Sequence, residues 1–211
     1  KIIIFSELNE KNFNKAKIVS EKLLDLINDA ETNYIHGNVL KLQNKFKEAI
    51  IFYEKEIDYK KDYFEAYNNL ATSQKNIGLK DEAFKNYKYA IDLKKNNLEA
   101  NYNLANLLYD EKRFDEAREN YEKVIEIDNN FPQSYLLIGL INSVQGNFEE
   151  AKNYFLKATQ KDKFLTEAYV YYVNTRKIDK NDKIIKILEE LISHRDLHPK
   201  YEQDISFALS K

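Results

Sequence analysis

The chain has 211 residues, and its 33 basic and 35 acidic side chains leave a net charge of −2, which excludes the strong positive field that draws proteins to nucleic acid or acidic membranes. Hydrophobic residues make up 43% and charged residues 32%, which is typical of a folded chain. The absence of cysteine excludes disulfides, thiolate metal sites and cysteine nucleophiles. No apolar run approaches the roughly 20 residues that span a bilayer. Because the chain begins with lysine and lacks methionine, we expect it to be a segment of a longer protein. We expect that protein to be cytoplasmic.

The first predicted element is a helix within residues 1–29. Phe13, Ala16 and Leu23 lie on one side of this helix, by steps of three and seven residues. They fall one residue out of step with the pattern that follows. We therefore interpret residues 1–29 as a partial N-terminal helix pair.

Residues 30–165 repeat one pattern every 34 residues. Alanine recurs at this interval, and an aromatic residue follows each alanine by four positions. The alanines are Ala49, Ala83, Ala117 and Ala151, and the aromatics are Tyr53, Tyr87, Tyr121 and Phe155. A period of this length is typical of stacked supersecondary units, not of a globular core built around one active site. The pattern predicts four regular repeats, which begin at Ala30, Phe64, Leu98 and Pro132.

Each repeat is predicted to contain two amphipathic helices. In the second repeat these are residues 64–77 and 80–93, where apolar residues recur in steps of three and four. Gly78 and Gly146 favour the left-handed backbone that ends a helix. Small residues on the first helices allow the second helices to approach closely, and further aromatics are expected to fill the gaps between them. The small residues are Gly37, Ala71, Ala105 and Gly139, and the further aromatics are Phe46, Phe114 and Phe148.

Downstream of residue 165 the pattern becomes irregular. Residues 166–198 are predicted to form a degenerate helix pair, with a second helix over 181–194 in which Ile185 replaces the small residue. Pro199 opens a last helix over 199–210, which we interpret, within residues 199–211, as the first helix of a truncated following repeat. Truncated ends expose apolar residues, so self-association is expected through Ile2–Phe5 and Phe207–Leu209.

The recurring positions resemble the tetratricopeptide repeat (TPR) family. The second repeat matches the family pattern at Tyr67, Leu70, Ala71, Ala83, Tyr87 and Ala90, and the fourth at Tyr135, Gly139, Ala151, Phe155 and Ala158. The resemblance implies an all-α, right-handed superhelical solenoid of helix-turn-helix repeats. The chain departs from the family at a position that is usually proline, occupied by Lys61, Lys95 and Asn129, and at the fourth position of two repeats, occupied by Asn33 and Asn101. We expect these departures to loosen the connections between repeats.

The resemblance also implies a concave groove, lined by the first helices, that binds a protein or an extended peptide. The residues expected to face this groove are Tyr34, Asn38, Lys41, Asn68, Asn69, Thr72, Lys75, Tyr102, Asn103, Asn106 and Tyr109. Asn69 and Asn103 stand where the family clamps a peptide backbone with asparagine, whose amide both donates and accepts hydrogen bonds. Alanine at both is expected to weaken binding without affecting stability. Two alternatives remain: an asparagine-rich chain places some asparagines inward by chance, or Lys41 and Lys75 form a carboxylate clamp.

The sequence contains no recognisable catalytic, metal or cofactor motif. The four glycines never cluster into a phosphate-binding loop. His36 occupies a position that is leucine or isoleucine in other repeats, so it is predicted to be a packed core residue. His194 and His198 are spaced for a metal on one helix, but Pro199 disfavours helix at the preceding residue. We therefore predict no catalytic site, no metal and no cofactor in this segment.

A second resemblance concerns the C-terminal residues. The runs 188–191, 195–197 and 207–211 are similar to the junction that precedes the catalytic domain in bacterial TPR–sulfotransferase proteins. This resemblance implies that the chain is the non-catalytic N-terminal part of a sulfotransferase-like protein. The alternatives are a free-standing TPR adaptor and the substrate-guiding TPR array of a glycosyltransferase.

Overall fold

The computed structural model describes residues 12–27, 29–175, 183–193 and 199–210. In these ranges the chain forms twelve α-helices and no strand. The predicted all-α helical-repeat class is confirmed. The chain divides into two compact units, an N-terminal unit of residues 1–112 and a C-terminal unit of residues 113–211. The division falls between the two helices of the repeat that begins at Leu98.

The N-terminal unit contains six of these helices. They are α1 (Phe13–Leu26), α2 (Ala30–Leu42), α3 (Phe46–Tyr59), α4 (Phe64–Asn76), α5 (Lys80–Leu93) and α6 (Leu98–Asp110). Each helix packs against the next one in sequence, as short connections between helices favour. The helices that open the repeats, α2, α4 and α6, also contact one another in that order. This second set of contacts creates a continuous surface from three first helices.

The C-terminal unit contains the other six. They are α7 (Phe114–Ile127), α8 (Pro132–Val144), α9 (Phe148–Lys161), α10 (Thr166–Asn174), α11 (Lys183–Ile192) and α12 (Pro199–Leu209). One apolar core joins α9, α10, α11 and α12 through Phe155, Tyr169, Leu188 and Ile205. Ile185, which replaces the small residue of the pattern, packs partly buried against this core. The described helices of the irregular end are therefore still closely packed.

The recurring alanines and aromatics form the centre of the packing, as predicted. All four alanines of the 34-residue pattern are 0% exposed, and the aromatics four residues later are at most 1% exposed. Phe148 does not follow this prediction, because its side chain is 53% exposed. It is the first residue of α9, directly after the connection of residues 145–147, and residues 144–150 are all exposed.

The left-handed residues that end the first helices are partly non-glycine. Gly78 and Gly146 have φ of 87° and 82°, as the sequence predicts, but Asn44 and Lys112 take the same role with φ of 60°. Asparagine tolerates this conformation, whereas lysine adopts it at a cost in free energy. The helix breaks of two repeats are thus built without the glycine that would reveal them in the sequence.

The prediction that the asparagines at the fourth repeat position loosen the connections is wrong. Asn33 and Asn101 are 1% and 0% exposed, and each donates from Nδ2 to a connection carbonyl. The acceptors are the backbone oxygens of Asp29 at 2.7 Å for Asn33, and of Asn97 at 2.7 Å for Asn101. Each bond satisfies a buried Nδ2 group that would otherwise be costly to bury, although Asn101 Oδ1 is buried without a donor among the described residues. These asparagines fasten the connections.

His36 is a packed core residue, as predicted. Its ring is 4% exposed, lies edge-on to Phe52 with centroids 4.5 Å apart, and its Nδ1 lies 2.7 Å from Ser20 Oγ on α1. Burial lowers the pKa of His36 below its usual value, because the charged imidazolium is poorly solvated there. Glu21 on α1 and Glu48 on α3 partly oppose this effect on the pKa, and Lys17 on α1 adds to it.

We expect the stability of the N-terminal unit to fall with acidification through His36. Because its folded pKa lies below its unfolded value, the unfolded chain binds more protons below a pH of about 6.5, and stability is lost as the pH falls towards the folded pKa. The thermal midpoint should therefore drop more between about pH 7.5 and pH 5.5 in the native chain than in His36→Leu. Leucine occupies the equivalent position in two other repeats. Parallel pH profiles for the two proteins would contradict this assignment.

Candidate binding surface

The eleven residues predicted to line a groove all lie on the first helices of the N-terminal unit. Tyr34, Asn38 and Lys41 are on α2, Asn68, Asn69, Thr72 and Lys75 on α4, and Tyr102, Asn103, Asn106 and Tyr109 on α6. We call the surface formed by these eleven residues the inner face. Asn68 and Asn69 are 2% and 6% exposed, and the other nine are half-buried. The inner face is thus a partly sealed polar surface that leaves limited atoms open to a ligand.

Asn69 is the centre of a hydrogen-bonded cluster between α2 and α4. Its Nδ2 donates to Tyr34 Oη and Asn38 Oδ1, both at 3.0 Å, and its Oδ1 accepts from Lys41 Nζ at 2.6 Å. Tyr53 donates from its hydroxyl to Asn38 Oδ1 at 2.8 Å. Both donor hydrogens of the Asn69 amide are therefore in use. In this conformation the amide joins two repeats and is occupied before any peptide arrives.

Asn68 and Asn103 form a second amide contact, between α4 and α6. Asn103 Nδ2 donates to Asn68 Oδ1 at 3.2 Å. Across the described residues, Asn68 Nδ2 has no acceptor and Asn103 Oδ1 has no donor. The pair therefore retains the Asn68 amino group as a donor and the Asn103 carbonyl group as an acceptor, which are the two functions that a peptide unit complements.

The remaining polar residues of α4 are engaged within the N-terminal unit. Thr72 donates from Oγ1 to the backbone oxygen of Asn68 at 2.9 Å, and its hydroxyl lies 3.0 Å from Tyr87 Oη. Burial raises the pKa of Tyr87 to about 12, although the hydrogen bond with Thr72 lowers it. Lys75 Nζ lies 2.8 Å from Asp110 Oδ2. With Lys75 paired, the inner face lacks two free lysines for a carboxylate clamp.

The other inner-face residues of α6 are Tyr102, Asn106 and Tyr109. Like Asn103 they are half-buried, and each interacts with neighbouring groups. Burial raises the pKa of Tyr102, and a hydrogen bond with Asn106 partly lowers it. Tyr109 stands one turn beyond Asn106. Two tyrosines on this helix provide large, partly exposed rings of a type common at binding surfaces.

Two glutamates outside the eleven predicted residues affect the pKa values of inner-face side chains. Burial raises the pKa of Tyr34, and the carboxylates of Glu65 on α4 and Glu99 on α6 raise it further. Burial lowers the pKa of Lys41, and Glu99 opposes this change. Charges interact most strongly at short range, so Glu99 is close enough to affect two α2 side chains although α4 lies between the helices.

The chemistry of the described residues is that of hydrogen bonding. Among the residues with described positions, no group of three or more histidine, aspartate or glutamate side chains is arranged to hold a metal. His194 and His198, the weak metal candidates of the sequence, lie outside the described residues. No helix of the described ranges is long and apolar enough to cross a bilayer. The structure thus defines a helical-repeat protein with a candidate binding surface.

The family assignment follows from comparison with known sequences. A tetratricopeptide repeat model matches residues 30–63, 64–97 and 132–162, and a second TPR repeat model matches residues 105–146. Together the matches cover more than half of the chain. It belongs to the tetratricopeptide repeat family. Comparison with curated proteins gives no significant match.

Solved structures share this fold. A crystal structure of MamA is 28% identical, with a TM-score of 0.70, and the alignment covers 76% of this chain and 95% of that one. A structure of pilF from Pseudomonas aeruginosa is 17% identical with a TM-score of 0.76, over 97% of this chain and 93% of that one. YrrB, described as a TPR protein with an unusual peptide-binding site, is 19% identical with a TM-score of 0.66, over 90% of this chain and 96% of that one.

Proposed function

We propose that the inner face binds an extended polypeptide segment of a partner protein, so that the chain acts as a scaffold. The observation that carries this proposal is the amide pair of Asn68 and Asn103, in which the Asn68 amino group has no acceptor and the Asn103 carbonyl group has no donor among the described residues. A peptide backbone offers both complementary groups at every residue, whatever its sequence. Asn69 is excluded from this direct role because its amide is occupied.

Related folds and the surrounding side chains support the same interpretation. YrrB, which shares the fold, carries a peptide-binding site according to its description. Half-buried Tyr34, Tyr102 and Tyr109 lie on α2 and α6, which form the inner face together with α4. Aromatic rings give a flexible peptide apolar contact at a low cost in side-chain entropy. Polar amides and rings together suit an extended segment better than a charged small molecule.

We predict that Asn103→Ala weakens peptide binding at least about tenfold, because it removes the free acceptor and the contact that orients Asn68. The measurement is fluorescence anisotropy with a labelled pool of decapeptides of mixed composition. The same pool with N-methylated backbone amides should also bind more weakly, since methylation removes backbone donors.

Asn76→Ala is the matched control for this prediction. Asn76 is an exposed asparagine at the end of α4, and its Nδ2 donates to the backbone oxygen of Thr72 at 2.8 Å. This variant should bind the pool like the native chain. Equal loss of binding in the two variants, or no effect of Asn103→Ala, would exclude the amide pair as the peptide contact.

The wider context of the scaffold is also a proposal. The N-terminal position relative to a sulfotransferase-like domain rests on the C-terminal resemblance, of which residues 195–197 lie outside the described residues. The downstream reading frame decides between a phosphosulfate-binding domain, a nucleotide-sugar fold and further repeats.

Self-association through Phe207, which is 44% exposed, is tested by analytical sedimentation of the Phe207→Ser variant. The other segment expected to self-associate, Ile2–Phe5, lies outside the described residues. Cell fractionation tests the cytoplasmic location.

A further inference from the structure

We infer that the inner face selects partner segments with two cationic side chains, Lys or Arg, three residues apart, through Glu65 and Glu99. This inference rests on the proposed peptide-binding function and names the chemistry of the partner. Glu65 and Glu99 occupy the same position in successive repeats, 34 residues apart, in the first turns of α4 and α6. They therefore border the inner face next to the amide pair.

The two glutamates are not neutralised within the part of the chain that the structure describes. Neither carboxylate has an ion-pair or hydrogen-bond partner there, and Glu65 Oε2 is sealed from solvent without a donor. A buried carboxylate oxygen without a donor raises the free energy of the unliganded protein. An ammonium or guanidinium group from a ligand would pair with the half-buried Glu65 carboxylate and the exposed Glu99 carboxylate.

The positive charges of the inner face do not cancel the negative charges of Glu65 and Glu99. Lys75 is paired with Asp110 at 2.8 Å, and Lys41 donates to Asn69 at 2.6 Å. Lys41 is then the single unpaired cation to set against the carboxylates of Glu65 and Glu99. A negative balance on a surface that is partly shielded from water favours a cationic partner.

Independent features next to Glu65 also point to a ligand. The side chain of Asn68, 2% exposed, retains a donor without an acceptor in the described residues, one turn along α4 from Glu65. Tyr34 and Tyr63 meet edge to face with centroids 5.1 Å apart, and the Glu65 carboxylate raises the pKa of both after the larger effect of burial. A carboxylate beside aromatic rings suits a cationic side chain, while the Asn68 amide can hold the backbone carbonyl beside it.

The spacing of the cationic residues follows from the helix packing. Packed helices lie about 8–10 Å apart, and α4 and α6 are in direct contact through Asn68 and Asn103. A peptide in the polyproline II conformation advances about 3.1 Å per residue with three residues per turn, so side chains three residues apart share one face and lie about 9 Å apart. Two lysines at that spacing can each reach one glutamate, whereas adjacent lysines point to different sides of the peptide.

The test uses the full chain and four fluorescent decapeptide pools. Each pool fixes two positions and fills the others with a mixture of neutral residues. The fixed pair is two lysines three residues apart, two adjacent lysines, two alanines three residues apart, or two glutamates three residues apart. The first pool should bind about tenfold more tightly than the alanine pool. Glu65→Gln with Glu99→Gln should abolish this preference, and high salt should reduce it. Glu54→Gln with Glu82→Gln removes the same charge from exposed sites on α3 and α5, and should preserve it.

The outcomes separate this inference from the proposed function. Equal binding of the lysine and alanine pools, with a loss in Asn103→Ala, would refute the cationic selection and leave the peptide surface intact. Equal binding of the two lysine pools, or a preference that survives loss of Glu65 and Glu99, would also refute it. If none of the four pools binds, both the inference and the proposed function are wrong.

Discussion

Replacement of Asn69 with alanine should lower the free energy of unfolding by about 2–3 kcal/mol, since it removes three hydrogen bonds at a site that is nearly inaccessible to water. The change removes the donor to Tyr34 Oη and one of the two donors to Asn38 Oδ1, and leaves the half-buried ammonium of Lys41 without its acceptor. Urea denaturation followed by circular dichroism should show a lower midpoint with an unchanged slope. This revises the sequence-based expectation that stability would be unaffected.

Asn103→Ala provides the comparison for this prediction. Asn103 is half-buried and makes one long hydrogen bond, at 3.2 Å, so its loss should cost less than about 1 kcal/mol. Asparagines one repeat apart would then have different roles, with Asn69 joining repeats and Asn103 available to the ligand. If the two variants lose the same stability, this division is wrong.

The fold could be predicted from the sequence because its packing constraint recurs at a fixed interval. A close contact between two helices needs a small residue on one helix and a ring on the other, as Gly37 with Tyr53 and Gly139 with Phe155 show. The ends of α2 and α6 could not be predicted from glycine, because Asn44 and Lys112 take the left-handed conformation there. The hydrogen bonds of Asn33 and Asn101 to the connections could not be predicted, because the family pattern marks these residues only as departures.

The candidate site was only partly predictable. Helical spacing placed all eleven residues on three first helices in contact, but it could not tell whether an inward amide is free or already bonded. That depends on side chains contributed by neighbouring repeats, such as Lys41 reaching Asn69. Glu65 was passed over because a glutamate in a first helical turn is ordinarily explained by the helix dipole.

One signal in the sequence would have revealed the tyrosine hydroxyls of the inner face. The aromatic of each second helix is tyrosine where the residue 15 positions earlier is polar, and phenylalanine in the repeat where that residue is Leu140. The structure explains two of these pairs, because Tyr53 bonds Asn38 and Tyr87 meets Thr72. A hydroxyl appears where a polar partner satisfies it, as a buried polar group requires.

Gly139→Ala should destabilise the C-terminal unit by about 1–3 kcal/mol, even though alanine favours helix over glycine by about 1 kcal/mol. A Cβ at position 139 would lie 2.6 Å from Phe155 Cε1 and 2.7 Å from its Cδ1. The ring cannot simply move aside, because Phe155 is 1% exposed and packs within the core shared by α9 to α12. Thermal denaturation should therefore show a lower midpoint.

The double variant Gly139→Ala with Phe155→Leu tests the cause of this loss. Leucine is smaller than phenylalanine and leaves room for the new methyl group, so the combined cost should be less than the sum of the two single costs. Gly37→Ala should behave in the same direction but more mildly, since its nearest contact, Tyr53 Cε1, would be at 2.9 Å. Additive effects of the two changes in the C-terminal unit would show that overpacking against the ring is not the reason glycine is needed at position 139.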